Sequence, residues 1–135
     1  MAGIVKETVD WTLLDKAAKA FPIERFGFDP ESLVHRPNIL LQCFDDLALF
    51  EYESNGVYSG HYFFNMGGRE SIYNGRKMLD HMFANGAEVI KGLTPKNLRA
   101  AKWMNRKLGF KYYGDIDTHA GPMELYILTK KEYTE

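Results

Sequence analysis

The sequence predicts one α/β domain of the α+β kind: a mixed, mostly antiparallel sheet with helices on both faces. Three observations predict it. The length, 135 residues, fills a single domain of roughly 100–200 residues and leaves no room for a second. Between 38 and 64, apolar and aromatic residues fall in strand-length blocks separated by turn signals, the pattern of an antiparallel meander. Beyond 64, helical and strand-length patterns alternate. A helix joining two strands makes a right-handed crossover that leaves those strands parallel.

Each element has its own signals. Ile4 and Val5 open a short strand, and Asp10 is an N-cap for a helix over Trp11–Ala20, where Trp11, Leu14, Ala18 and Phe21 recur at helical spacing. Pro22, Gly27, Pro30 and Pro37 break the chain, so 22–37 reads as loop. Ile39–Phe44 is a continuous apolar run apart from Gln42, Asp45-Asp46 turns it, and Leu47–Glu53 follows as a second strand. Asn55-Gly56, the strongest short hairpin signal, leads into the aromatic strand Val57–Phe64. Helical spacing returns over 70–85, with Ile72, Met78, Leu79, Met82 and Phe83 on one face and Asn85-Gly86 as its stop. Glu88–Leu93 is a short strand. Thr94-Pro95 introduces a helix over 96–108 whose stripe is Leu98, Ala101, Met104 or Asn105, and Leu108, closed by Gly109. Phe110–Ile116 and Met123–Thr129 are the last strands, joined through His119 and Gly121-Pro122.

Composition excludes several function classes. Hydrophobic residues make up 45% and aromatic residues 14%, enough for a packed core and too much for a disordered chain. Lys plus Arg number 17 against 18 Asp plus Glu, so the basic surplus on which non-specific nucleic-acid binding rests is missing. Nucleic acid is not the expected partner. A lone cysteine, Cys43, rules out an intramolecular disulfide framework and fits a reducing compartment. No apolar run nears the ~20 residues that span a bilayer, and MAGIVKETVDW lacks a charged segment followed by an apolar one. Neither a membrane partner nor a signal peptide is expected, and the expected location is the cytoplasm.

The segment richest in chemistry is Phe63-Phe64-Asn65-Met66-Gly67-Gly68-Arg69-Glu70-Ser71. A strand ends, two glycines follow, and a helix begins. Glycines let a ligand approach the backbone, and the first helical N–H groups favour an anion such as a pyrophosphate. Arg69, Arg76 and Lys77 add positive charge nearby. A tight turn with no ligand is the alternative use of the same residues. His35, His61, His81 and His119 show no ligand spacing with each other or with Cys43, so no metal is expected. Cys43, inside an apolar strand, reads as a small buried hydrophobe. The run Lys96, Arg99, Lys102, Arg106 and Lys107 is a solvated helix face or a weak funnel for an anion.

Downstream, Asn97, Ala100, Lys107-Leu108-Gly109-Phe110 and Gly114 form an Asn-x-x-Ala helix closed by a Lys-Leu-Gly-Phe turn and followed by a strand with a glycine. In these residues, and in the order of meander, glycine loop, helix and strand, the sequence resembles the GNAT (N-acetyltransferase) superfamily over roughly 38–129. The segment around His61, Gly75-Arg76-Lys77-Met78-Leu79 and Val89–Pro95 look most like divergent GNAT-like proteins of bacteriophages and prophages. The resemblance implies a splayed gap between the strands at 57–64 and 88–93, into which the pantetheine of acetyl-CoA inserts like an extra strand. It places the pyrophosphate of acetyl-CoA or coenzyme A on Met66, Gly67, Gly68, Arg69, Glu70 and Ser71, and the cofactor arm on Asn97. His61, in the strand before the loop, stands where the family often has a residue that deprotonates the amine through water. An imidazole suits that role, although a half-buried histidine in an aromatic strand is the plainer reading. Glu51 and Glu53 are alternative bases, and Tyr112 and Tyr113 the nearby phenols.

Two departures from the family stand out. Its loop pattern, Arg/Gln-x-x-Gly-x-Gly/Ala, meets Glu70 and Tyr73 when counted back from Gly75. Its helix tyrosine, which protonates the departing thiolate, is replaced by Met104 or Asn105, depending on the end counted from. The expected function is acyl transfer from acetyl-CoA to an amine of unidentified acceptor class, with acyl-CoA and that amine as partners. A catalytically inactive phage protein of the same fold, serving in the virion or binding a host factor, is the competing expectation. The aromatic-rich edges offer a surface for a homodimer.

Overall fold

The computed structural model describes residues 5–7, 12, 38–64, 66–118 and 121–134. The helix expected over Trp11–Ala20 (Thr12 apart), the loop 22–37 and His119 lie outside them. The described strands are β1 (Lys6–Glu7), β2 (Ile39–Cys43), β3 (Asp46–Ser54), β4 (Val57–Phe63), β5 (Val89–Pro95), β6 (Lys111–Thr118) and β7 (Gly121–Thr129). The helices are α1 (Gly68–Ala84), α2 (Arg99–Leu108) and α3 (Lys130–Thr134). Together the strands make one seven-stranded sheet in the order β1-β2-β3-β4-β5-β7-β6. Every neighbouring pair is antiparallel except β4 and β5, which run parallel with α1 as their crossover.

The meander forms as its turn signals require. Asn55-Gly56 joins β3 to β4, with Gly56 at φ 77°. The β2–β3 connection is tighter than the apolar run implies: Phe44 leaves the strand, half exposed, and takes a left-handed φ of 55°. The first described strand is Lys6–Glu7, paired with Gln42 and Leu41 of β2; Val5 precedes it, and Ile4 of the expected strand lies outside the described residues. A larger shift concerns Pro95, which ends β5 opposite Met123 instead of opening a helix. Lys96 donates its N–H to Pro122 of β7, and adjacent residues of a strand point their N–H groups to opposite sides. The missing donor of Pro95 therefore faces away from β7, where no ladder asks for one. A turn closed by Leu98 N to Pro95 O (3.1 Å) follows, and α2 begins only at Arg99.

Alternation along the strands divides the core. Leu41, Cys43, Ala48, Phe50, Ile90, Tyr126 and Leu128 point toward α1, which meets them with Met78, Leu79, Met82 and Phe83. The other face buries Leu40, Leu47, Leu49 and Phe63. Burial on both faces accounts for the continuous apolar character of β2 and the start of β3. Both long described helices lie on one face: Arg76 Nη2 donates to the Lys107 carbonyl (3.0 Å) at the C-terminal end of α2. Along α2 only Leu108 is fully buried; Leu98, Ala101, Met104 and Asn105 are half-buried.

Candidate active site

Strands β4 and β5 pair only at Val57↔Val89, Tyr58↔Ile90 and Ser59↔Lys91. Both then continue, to Phe63 and Pro95, without further pairing between them. The sheet is thus split at its one parallel seam. On their outer sides the two strands stay tied, β4 to β3 as far as Leu47↔Phe63 and β5 to β7 as far as Pro95↔Met123. The main-chain groups along such a gap suit an extended chain that inserts as an added strand.

The glycine loop sits at the open end of β4. Gly67 is the N-cap of α1 at φ 74°, ψ 164°, a conformation essentially restricted to glycine, and Gly68 follows at φ 57°. Space above the loop is open: a Cβ on Gly67 would meet nothing within 4 Å, and one on Gly68 only Glu70 Oε2 at 4.0 Å. Beneath it lies Asp46, fully buried at the start of β3. Its Oδ1 accepts from Met66 N (3.0 Å), and its Oδ2 accepts from Ser71 Oγ (2.9 Å) and Asn74 Nδ2 (3.0 Å). Gly67 N donates to Ser71 Oγ (2.7 Å), and the Cys43 thiol reaches Asn74 Oδ1 (3.3 Å). Burial, with Asp46 beside it, pushes the Cys43 thiol up from its ordinary range. This network explains why the first turns of α1 bury Ser71 and Asn74, off the apolar stripe read from the sequence.

The network also divides the loop's donors. Met66 N and Gly67 N are spent inside the protein, whereas Gly68, Arg69 and Glu70, at the start of the helix, have no carbonyl four residues back within it. Of the nearby cations, Arg76 is committed to the end of α2 and Lys77 lies over the Tyr73 ring at 5.5 Å. Arg69 is exposed beside the loop.

His61 points to the face opposite α1, together with Phe63, while Tyr62 and Phe64 point toward the helices. Its Nε2 is 3.4 Å from Glu51 Oε1 on β3. That hydrogen bond from His61 is the main cause that holds the Glu51 carboxyl below its usual range. An ionised carboxylate only accepts, so Nε2 carries the proton of the neutral ring, in which Nδ1 is the acceptor nitrogen. Glu53, on the same strand, is paired with Lys91 (2.8 Å) across β4. Tyr112 and Tyr113 lie exposed on the edge strand β6, and Tyr112 donates to Asp115 (2.6 Å).

Asn97 falls in the exposed turn between β5 and α2, one residue before the N-cap Leu98, and not in the helix. The residue of α2 that reaches back to the sheet is Asn105, whose Nδ2 donates to Thr94 Oγ1 on β5 (2.7 Å). Next to Thr94 in register is buried Glu124, which accepts from Tyr126 Oη (2.7 Å) and lies 3.3 Å from Lys102 Nζ. Burial, then the bond to Glu124, pushes the Tyr126 phenol up to about 12. Asp46, Asn74, Thr94 and Glu124 were not legible as site residues. Asp46 reads as half of a turn until α1, 25 residues on, supplies its partners. Among the described residues no cluster of three or more His, Cys, Asp or Glu is arranged to hold a metal ion, and no helix is long and apolar enough to cross a membrane.

A seven-stranded sheet split at one parallel pair, with a glycine loop and helix at the split, is the architecture of the GNAT fold. Solved structures bear this out. A spermidine N-acetyltransferase chimera of Vibrio cholerae SpeG and hSSAT superposes with a TM-score of 0.77 over 100% of this chain and 99% of that one, at 11% identity. AAC(6')-Ib, in complex with paromomycin and acetyl-CoA, gives 0.73 over 100% and 97% at 16% identity. A probable GNAT-family acetyltransferase from Chromobacterium violaceum gives 0.70 over 100% and 91% at 11% identity. No protein-family model matches the sequence, and no curated protein matches it. At such identities the likeness establishes the fold.

Proposed function

We propose that the protein is an acyl-CoA-dependent N-acyltransferase that moves an acetyl group from coenzyme A to an amine. One observation carries the reading: the β4–β5 gap opens beside a glycine loop whose next three residues begin a helix. A pantetheine arm fits the gap as an added strand while its pyrophosphate meets the amides of Gly68, Arg69 and Glu70. Met66, Gly67 and Ser71 shape that loop through Asp46, and Asn97 borders the cofactor arm from the turn before α2. Support also comes from similar solved structures, which are acetyltransferases, three of them holding acetyl-CoA or coenzyme A.

Acetyl-CoA is here a substrate. The amine nitrogen attacks the thioester carbonyl, the C–N bond forms, the C–S bond breaks, and the sulfur leaves as thiolate. Thiolate is a good leaving group, so holding the two reactants together supplies much of the rate. His61 takes the amine proton on Nδ1, directly or through one water, while Glu51 orients the ring. The acceptor is an amine, the setting is the cytoplasm of a cell or an infected host, and the kinship is with phage-encoded GNAT-like proteins; a homodimer through the exposed aromatic edge of β6 is part of the same proposal. One observation favours the non-catalytic alternative: neither Met104 nor Asn105, the two positions that match the family's tyrosine depending on the end counted from, can act as an acid, and Asn105 is an amide bound to Thr94.

Coenzyme A distinguishes the two readings. A ligand that binds only the folded state stabilises it by RT ln(1 + [L]/Kd), ~2.7 kcal/mol at a hundredfold excess over Kd. The acyltransferase reading expects a rise in melting temperature with coenzyme A that Arg69→Glu weakens, together with thiol release from acetyl-CoA. A melting curve unmoved by millimolar coenzyme A, with no thiol release from acetyl-CoA, would refute the acyltransferase reading and favour the binding-protein alternative.

A further inference from the structure

Among the described residues, one buried side-chain polar atom has no hydrogen-bond partner, the hydroxyl oxygen of Tyr62. Its ring stacks on Phe64 at 5.5 Å and meets Phe50 and Phe110 edge-on at 5.8 and 6.2 Å. A phenylalanine would make the same ring contacts without burying an unsatisfied hydroxyl, so packing does not account for the oxygen. Its position is specific. A Cβ built on Gly60 would lie 2.6 Å from Tyr62 Oη. Gly60 is the first residue of β4 beyond the last β4–β5 pair, and Gly92 is its counterpart on β5. A Cβ on Gly92 would meet only the Gly60 carbonyl oxygen, at 3.9 Å. The vertex of the gap is therefore bordered by two residues without side chains and a hydroxyl with nothing to bond.

We propose that Tyr62 Oη donates a hydrogen bond to the thioester carbonyl oxygen of the acyl donor at the vertex of the β4–β5 gap. The inference rests on the acyl transfer proposed above and names a donor for it. As the amine nitrogen bonds to the carbonyl carbon, the π pair of the C=O bond moves onto oxygen, where the Tyr62 O–H meets the growing charge. The C–S bond then breaks with its electron pair on sulfur, and the amine proton passes to His61 or water. Tyr62 keeps its proton throughout. Burial, which pushes its phenol well above the ordinary tyrosine range, suits it to donating and not to dissociating. A fixed donor in a water-excluded pocket acts where charge develops.

The test uses the full chain as wild type, Tyr62→Phe and Gly60→Ala. Thiol release from acetyl-CoA is measured with a polyamine, an aminoglycoside, a peptide N-terminus and water as acceptors, beside melting curves with and without coenzyme A. Tyr62→Phe is expected to lower kcat by ~10²–10³, the loss typical of one oxyanion donor. KM for acetyl-CoA should stay within about twofold, the coenzyme A shift should persist, and the ligand-free melting temperature should hold or rise. Gly60→Ala, which displaces the hydroxyl, should also lower kcat. A Tyr62→Phe variant with wild-type turnover overturns the proposal, as does one that loses melting temperature and the coenzyme A shift together, since that is the signature of a structural residue. Wild-type protein with neither a coenzyme A shift nor thiol release refutes the acyl-transfer reading itself.

Discussion

Asp46 offers the sharpest test of how the loop is built. Its carboxyl is 0% exposed and accepts from Met66 N, Ser71 Oγ and Asn74 Nδ2 at 3.0, 2.9 and 3.0 Å. Asp46→Ala removes the acceptor from the buried Ser71 hydroxyl, from the Asn74 amide, which keeps only Met66 Sδ at 3.4 Å, and from the part-buried Met66 N, at a cost of ~1–3 kcal/mol for each buried donor left unsatisfied. The three share one site, so their costs do not add in full; about 3–5 kcal/mol is the expected loss. In a domain of this size that is a fall in melting temperature of about 10–20 °C. Asp46→Asn keeps the shape and one oxygen, lets the Ser71 hydroxyl turn round to accept, and strands chiefly the Asn74 amide, so about 1–3 kcal/mol is expected. Urea unfolding at constant slope gives both values, and coenzyme A melting shifts show whether the loop still binds. An alanine variant within about 1 kcal/mol of wild type, or an asparagine variant as damaged as the alanine one, would refute the argument that this carboxyl holds the loop.

His61→Ala should lower kcat/KM by ~10²–10⁴ while leaving the coenzyme A melting shift in place; undiminished turnover would end its assignment as base. Glu51 is held below the usual carboxylate range first by its hydrogen bond from His61, so the stability it contributes is present above the unfolded value of ~4.3 and lost as pH falls through the lower folded one. Urea midpoints taken from pH 6 down to 3 should therefore fall less steeply for Glu51→Gln than for wild type. Cys43 is buried with its thiol pushed up, so a disulfide reagent should react with it no faster than the protein opens, and at once in denaturant. Rapid labelling of the native protein would place that thiol at the surface.

Periodicity and turn chemistry carry the elements because they are local. Asn55-Gly56 dictates a hairpin wherever the rest of the chain goes, and a stripe such as Met78, Leu79, Met82 and Phe83 can only face a core. The glycine loop was visible for the same reason: Gly67 adopts a backbone conformation that side chains disfavour. Pro95 misled because its fixed φ and missing N–H suit a helix start and a strand end equally, and only the place of β7 decides between them. What the chain could not reveal along its length are the meetings of residues far apart in it. Asp46 with Ser71 and Asn74, Glu51 with His61, and Thr94 with Asn105 exist only once the sheet sets its register and α1 and α2 settle against it. The orphaned Tyr62 hydroxyl is the extreme case. Sequence places the ring on a strand, but an absent partner shows only when every neighbour is in place, because burial and satisfaction belong to the packed interior and not to any segment of it.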